Sequence, residues 1–165
     1  MSAGLEAEGL TLVPLDRVDG DTYAQVAQAN SSDLVALDML SAPGGEGEVR
    51  ERWAGLLTLL DEGGGLSFGI YDDGLVGEVT VSDLHSQEPE LEIWVDRGQR
   101  GRGIASRAVT IVTAHLFETR PDVTAVTGRI RQDNAASQGM AEKVGASRGV
   151  ADSDSYRTWR IERES

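Results

Sequence analysis

Residues 95–105 read VDRGQRGRGIA, a glycine loop between a strand-like run and a helix-like run. The first turn of a helix has backbone N–H groups with no helical acceptor and the positive end of the helix dipole. A loop that opens straight into a helix therefore makes an anion site. Gly101 and Gly103 let the backbone approach a phosphate, Ala105 keeps the first turn narrow, and Arg97, Arg100 and Arg102 add positive charge. The ligand that suits such a loop is a pyrophosphate. A P-loop is excluded, because no Gly-Lys-Ser/Thr ending follows. A dinucleotide fingerprint fits loosely through Gly101, Gly103 and Ser106. The next strand, however, starts near Ala125 and ends in Arg129 and Arg131, where an acidic residue belongs. A nicotinamide-dependent oxidoreductase remains a distant alternative.

Upstream of the loop, residues 90–95 (ELEIWV) alternate, with Glu90, Glu92 and Trp94 on one face and Leu91, Ile93 and Val95 on the other. Two carboxylates on the strand that feeds an anion loop are candidates for a general base. Their ordinary alternative is the wet face of a half-exposed strand. Tyr156, in the last predicted hairpin, reads as a core or rim residue. His85 and His115 stand 30 positions apart without carboxylates at matching spacing, so no metal site is expected. Trp53, Trp94 and Trp159 read as core or pocket wall, since no basic groove accompanies them.

The run Arg100, Gly101, Arg102, Gly103, Ile104, Ala105 resembles the pyrophosphate loop of the GNAT superfamily of acyl-CoA N-acyltransferases, Arg/Gln-x-x-Gly-x-Gly/Ala. Trp94, Val95 and Asp96 end the preceding strand as they often do in that family. Asn134 to Ser137, followed by Glu142, Lys143, Val144 and Gly145, is similar to its Asn-x-x-Ala/Ser and Glu-Lys-Leu-Gly segment. The match is strongest over 88–146, and Trp-Val-Asp with Ser137 looks most like the RimJ/RimL type, which acetylates protein amino termini. The resemblance implies a mixed, largely antiparallel, V-splayed sheet of about seven strands with about four helices. It implies acetyl-CoA as co-substrate, with backbone groups of Trp94 and Val95 on the pantetheine arm. It places the N–H groups of Arg100, Gly101, Arg102, Gly103, Ile104 and Ala105 on the pyrophosphate, Asn134 on pantetheine and Ser137 near the sulfur. The Tyr that many members use as acid falls at Ala141 here; resemblance to the RimL type implies Ser137 as the donor to the sulfur, and a helix-start serine bonding local backbone is its alternative. Glu92 stands where close relatives often have Gly, and Glu90 where they often have Glu.

The elements that must position these residues follow from periodicity. Strands are predicted over 10–15, 66–71, 75–81, 90–95, 125–131, 146–151 and 156–162, and helices over 21–29, 48–62, 104–118 and 134–143, with another helical turn or two over 33–40. Asp72, Asp73 and Gly74 mark a hairpin turn, and 42–47 (APGGEG) a loop. The order describes an α/β protein on a mixed sheet: a loose stretch over 1–9, then one domain over 10–165.

Composition narrows the chemistry further. With 165 residues and no cysteine, disulfides, thiolate metal sites and a cysteinyl covalent intermediate are excluded. Direct attack of an amine on a thioester in a ternary complex is then the default. The net charge is −13, which disfavours nucleic acid. Residues 1–82 have 15 acidic side chains against three arginines, and 83–165 have 13 against 12 basic ones. A cationic acceptor would be drawn to the first half, with Asp152 and Asp154 adding to the rim, or the asymmetry serves solubility alone. With neither signal peptide nor membrane span evident, the expected setting is the cytoplasm, as monomer or homodimer. The expected activity is N-acetyl transfer to a protein amino terminus. A small amine (aminoglycoside, polyamine or metabolite) is one alternative acceptor, and an acyl-CoA-binding module without turnover is another reading.

Overall fold

A computed structural model describes residues 4–41 and 45–164. Half of the predicted 42–47 loop, residues 42–44, lies outside them. The elements are β1 (Leu5–Ala7), β2 (Leu10–Pro14), α1 (Gly20–Ala29), α2 (Ser31–Ala36), α3 (Glu46–Asp61), β3 (Leu66–Tyr71) and β4 (Leu75–Ser82). They continue with β5 (Glu90–Val95), α4 (Ile104–Thr119), β6 (Ala125–Arg131), α5 (Ala135–Lys143), β7 (Ser147–Ala151) and β8 (Tyr156–Glu162). The strands form one sheet in the order β1-β2-β3-β4-β5-β6-β8-β7. Every neighbouring pair is antiparallel except β5 and β6, which are parallel and share a single register pair, Glu90 with Thr127. Beyond that pair the two strands part, and the sheet opens into a V whose mouth lies at Val95.

The fold is the expected mixed α/β one, with eight strands and five α-helices among the described residues where about seven and four were expected. The added strand is β1, inside the stretch expected to be loose, whose residues 1–3 are not described. Glu8 and Gly9 both take positive φ (57° and 79°), the backbone of a two-residue hairpin, and Glu is a poor sequence signal for that turn. The helix count rises because Asn30 separates α1 from α2. Its side chain is committed to tertiary bonds, so it ends one helix and begins the next.

Two apolar layers hold the sheet. On one face, Ile104, Ala108, Val112 and Leu116 of α4 pack against Phe68, Ile70, Val79, Val95 and Val126. On the other, Tyr23, Ala27, Leu34, Val49 and Leu56 from the first three helices pack against Trp94. Each buried aliphatic side chain contributes about 1.5–3 kcal/mol by transfer, an upper bound. Adjacent residues Trp94 and Val95 serve opposite layers, as strand alternation requires.

Candidate active site

The anion loop is built as the sequence suggests. Residues Arg97–Gln99 form one 3-10 turn, Gly101 takes φ 83°, and Gly103 takes φ 72° at the start of α4. No side chain caps α4. Its first-turn N–H groups therefore point outward without acceptors among the described residues, which fits a diphosphate.

The three loop arginines behave differently from expectation. Arg97 donates to Asp33 through Nε (3.1 Å) and Nη2 (2.5 Å), and Arg100 reaches the same carboxylate at 3.1 Å. Asp33 is held below the usual carboxylate range, chiefly by the Arg97 hydrogen bonds. Arg102 pairs with Asp72 at 2.8 Å and also bonds Gln99. The cation standing over the loop without a carboxylate partner among the described residues is Lys143, whose Nζ lies 3.5 Å from where a Cβ on Gly103 would be. Lys143 is the sole lysine of the chain, which is the signal that sets it apart in the sequence.

Asn30 fastens this loop to the amino-terminal helices. Its Nδ2 donates to Asp96 Oδ1 (2.7 Å) and its Oδ1 accepts from the Arg97 N–H (2.9 Å).

From the loop, a groove runs into the V. A cavity beside the loop is lined by Val95, Gly101, Gly103, Ile104, Ala105 and Lys143. A second cavity, between β5 and β6, is lined by Glu90, Glu92, Arg129, Ala141 and Tyr156. Both share Leu37, Ile93, Asn134, Ser137 and Met140, so they are two ends of one channel. Ser137 sits at the join, and its backbone N–H donates to the Asn134 side chain at 3.1 Å. Asn134 is thus the N-cap of α5, and its position is fixed by that role.

The pairing of β5 bears on the backbone groups expected to hold pantetheine. The Trp94 carbonyl faces β4, where it would lie 2.3 Å from a Cβ on Gly77, and the Asp96 N–H bonds the Val76 carbonyl at 2.7 Å. Backbone groups alternate along a strand, so those turned into the V belong to Ile93 and Val95. Trp94 therefore turns its backbone to β4 and its indole N–H to Glu78, and Ile93 was missed because sequence gives no strand partner from which to count.

Glu92 and Glu90 both line the second cavity. Glu90 sits at the closed apex of the V and Glu92 one step toward the opening. Burial raises the Glu92 carboxyl above its ordinary value, the nearby Arg52 opposes this, and Glu78 and Glu90 add to it. Nearly half of the Glu92 side chain still meets solvent (48%), the solvent of the groove. Charge at this end is mixed. Asp38, Glu90 and Glu92 oppose Arg129 and Arg131, which are paired with Asp152 and Asp133 at 2.7 and 3.2 Å. Of the acidic first half only Asp38 lines this end. Glu46 is engaged with Arg50 instead. Tyr156 lies under the two arginines, and its hydroxyl is buried without a partner among the described residues. His85 and His115 line neither cavity, and no group of three or more His, Asp or Glu among the described residues could hold a metal ion.

Residues 9–147 match the family model of the acetyltransferase (GNAT) domain. The chain belongs to that family. It is an acetyltransferase, which removes both the binding-module and the oxidoreductase alternatives. No curated protein matches it by sequence. Among solved structures it is similar to an acetyl transferase from Salmonella typhimurium that modifies the N-terminal serine of ribosomal protein L7/L12 (17% identity, 98% of this chain and 100% of that one, TM-score 0.82). It is also similar to the Microcin C7 self-immunity acetyltransferase MccE, solved with acetyl-CoA and AMP (14%, 95% and 94%, 0.79). A third similar structure is Mycobacterium smegmatis RimJ, solved with a CoA-disulfide (19%, 97% and 86%, 0.76). At these identities the likeness is one of fold. No helix among the described residues is long and apolar enough to cross a membrane.

Proposed function

We propose that the chain transfers acetyl from acetyl-CoA to a primary amine by direct attack, with a protein amino terminus as acceptor. One observation carries the reading: a single channel has free helix N–H groups and Lys143 at one end, paired carboxylates at the other, and Ser137 where they meet. Acetyl-CoA supplies the activated acetyl thioester. The N–H groups of Arg100, Gly101, Arg102, Gly103, Ile104 and Ala105 hold the diphosphate, and Ile93, Val95 and Asn134 line the pantetheine path. Glu92 takes the proton of the incoming ammonium, directly or through water, so that the amine lone pair is free to attack. Glu90, at the apex, is the second candidate for that proton. The Ser137 hydroxyl donates a hydrogen bond to the departing sulfur. The acceptor's positive charge suits Asp38, Glu90 and Glu92. Acetyl-CoA and newly made amino termini meet in the cytoplasm, where we place the reaction.

The test is to incubate the pure protein with acetyl-CoA and a pool of peptides beginning with Ser or Ala, aminoglycosides and polyamines. Mass spectrometry then records which gain an acetyl group. Acetylated peptide amino termini are expected; acetylation confined to small amines overturns the choice of acceptor and keeps the chemistry.

A further inference from the structure

Arg52 of α3 lies outside both cavities, yet its Nη2 stands between two carboxylates, 2.6 Å from Glu78 Oε2 and 4.0 Å from Glu92 Oε2. Glu78, on β4, is 1% exposed. Both its oxygens are fully used. Oε1 accepts from the Tyr23 hydroxyl (2.5 Å) and the Trp94 indole (3.1 Å), and Oε2 accepts from Arg52 and from the Thr80 hydroxyl (2.8 Å). Four donors from four elements leave this carboxylate no freedom, so the guanidinium resting on it is fixed as well. Arg52 Nη1 also reaches the Met39 carbonyl at the rim of the acceptor cavity (3.4 Å). A buried charge pair with this much hydrogen bonding holds one geometry, unlike a surface pair.

The charges around Glu92 are mostly of its own sign. Glu78 acts on it from β4 and Glu90 from its own strand, and Asp38, in the segment after α2, lines the same cavity. Arg129 and Arg131 of β6 stand across the groove, paired with Asp152 and Asp133. Among the described residues the cation within 4.0 Å of the Glu92 carboxylate is Arg52. We propose that Arg52, anchored on Glu78, is a positioning residue that keeps Glu92 ionised and aimed at the acceptor end of the channel. The inference rests on the reading of Glu92 as the proton acceptor, and it assigns a role to the buried Glu78 network that the reaction itself does not use. Its signature is a pair of opposite effects. Removing Arg52 exposes Glu92 to like charges and raises its titration midpoint. Removing the charge of Glu78 leaves Arg52 to Glu92 alone and lowers it.

The test is carbon-13 NMR of the glutamate carboxyl groups in the full chain, with the Glu92 signal identified by its loss in E92Q. The midpoint in R52Q is expected to rise by about one unit or more, R52K to recover part of the shift, and E78Q to move the midpoint down. Acetyl-CoA affinity by calorimetry should stay within about twofold in R52Q and E78Q, since neither residue lines the coenzyme end. Unmoved midpoints, or shifts of the same sign, overturn the proposal. If R52Q does not fold, the direction in E78Q decides. Wild-type turnover in E92Q would instead remove the proton-acceptor reading while leaving the midpoints to be judged separately.

Discussion

Lys143 holds its ammonium against the face of Gly103, 3.5 Å from where a methyl carbon on that glycine would sit. Gly103 is left-handed (φ 72°), which turns the free N–H groups of α4 outward beneath the ammonium. Arg97, Arg100 and Arg102 are already paired with carboxylates, so the charge that a diphosphate meets first is that of Lys143. Lys143→Gln should raise the acetyl-CoA dissociation constant about tenfold, in line with one charge-assisted hydrogen bond of about 1.5 kcal/mol. Arg102→Gln should cost less. Calorimetry of both variants at two salt concentrations checks this, with the salt dependence shallower in Lys143→Gln.

Asp33 joins the amino-terminal helices to the phosphate loop through two arginines. Its depressed pKa means that the folded protein gives up this proton more readily than the unfolded chain. The stabilisation is therefore complete above the ordinary aspartate value of about 3.9, and it is lost as pH falls through the lower native value. Asp33→Asn should cost about 1 kcal/mol at pH 7, because the carboxylate is largely covered while Arg100 is half exposed and Arg97 mostly so. Denaturant melts across pH should show the gap between variant and wild type closing below pH ~4.

Gly77 is required by the carbonyl it faces. A Cβ there would lie 2.3 Å from the Trp94 carbonyl oxygen and 3.1 Å from the Val95 Cα, both backbone atoms that no rotamer change can move. Gly77→Ala must push β5 away from β4 and narrow the V. A destabilisation of about 1–3 kcal/mol is expected in thermal melts, together with weaker acetyl-CoA binding. A nearby control is Gly55→Ala on α3, where nothing stands within 4 Å and stability should rise slightly.

Local pattern made much of this legible. The helix over 104–118, the strand over 125–131 and the loop at 97–103 are periodic or glycine-marked, and each lies where its pattern places it. Ser137, Glu90 and Glu92 line one cavity. What the sequence withheld depends on partners distant in the chain. The direction of the Trp94 carbonyl follows from β4 being its neighbour, and the neutralisation of Arg97 and Arg100 from Asp33, over sixty residues away. The acidic first half suggested a pocket that draws a cationic acceptor, yet among the described residues Asp38 is its one carboxylate lining the cavity that holds Glu90 and Glu92. Glu78 did leave a trace, a carboxylate amid an otherwise apolar strand (LVGEVTVS), which a buried strand tolerates only when it is bonded.

Glu92, Glu90 and Ser137 should separate kinetically. Burial sets the Glu92 carboxyl above the ordinary glutamate value of about 4.3, and its useful form is the deprotonated one. Turnover should therefore be full above the native midpoint and fall as pH drops through it. This acidic limb should lie above the range of a free carboxylate. At saturating acetyl-CoA and acceptor, Glu92→Gln should lower kcat about 100-fold and abolish that limb. Glu90→Gln, at the apex of the V, should keep most of kcat and lower the limb by removing a like charge. Ser137→Ala should lower kcat about tenfold with the limb unmoved and acetyl-CoA affinity intact, because its hydroxyl acts only as sulfur departs. A limb that survives in Glu92→Gln but vanishes in Glu90→Gln would move the proton acceptor one alternation down the strand.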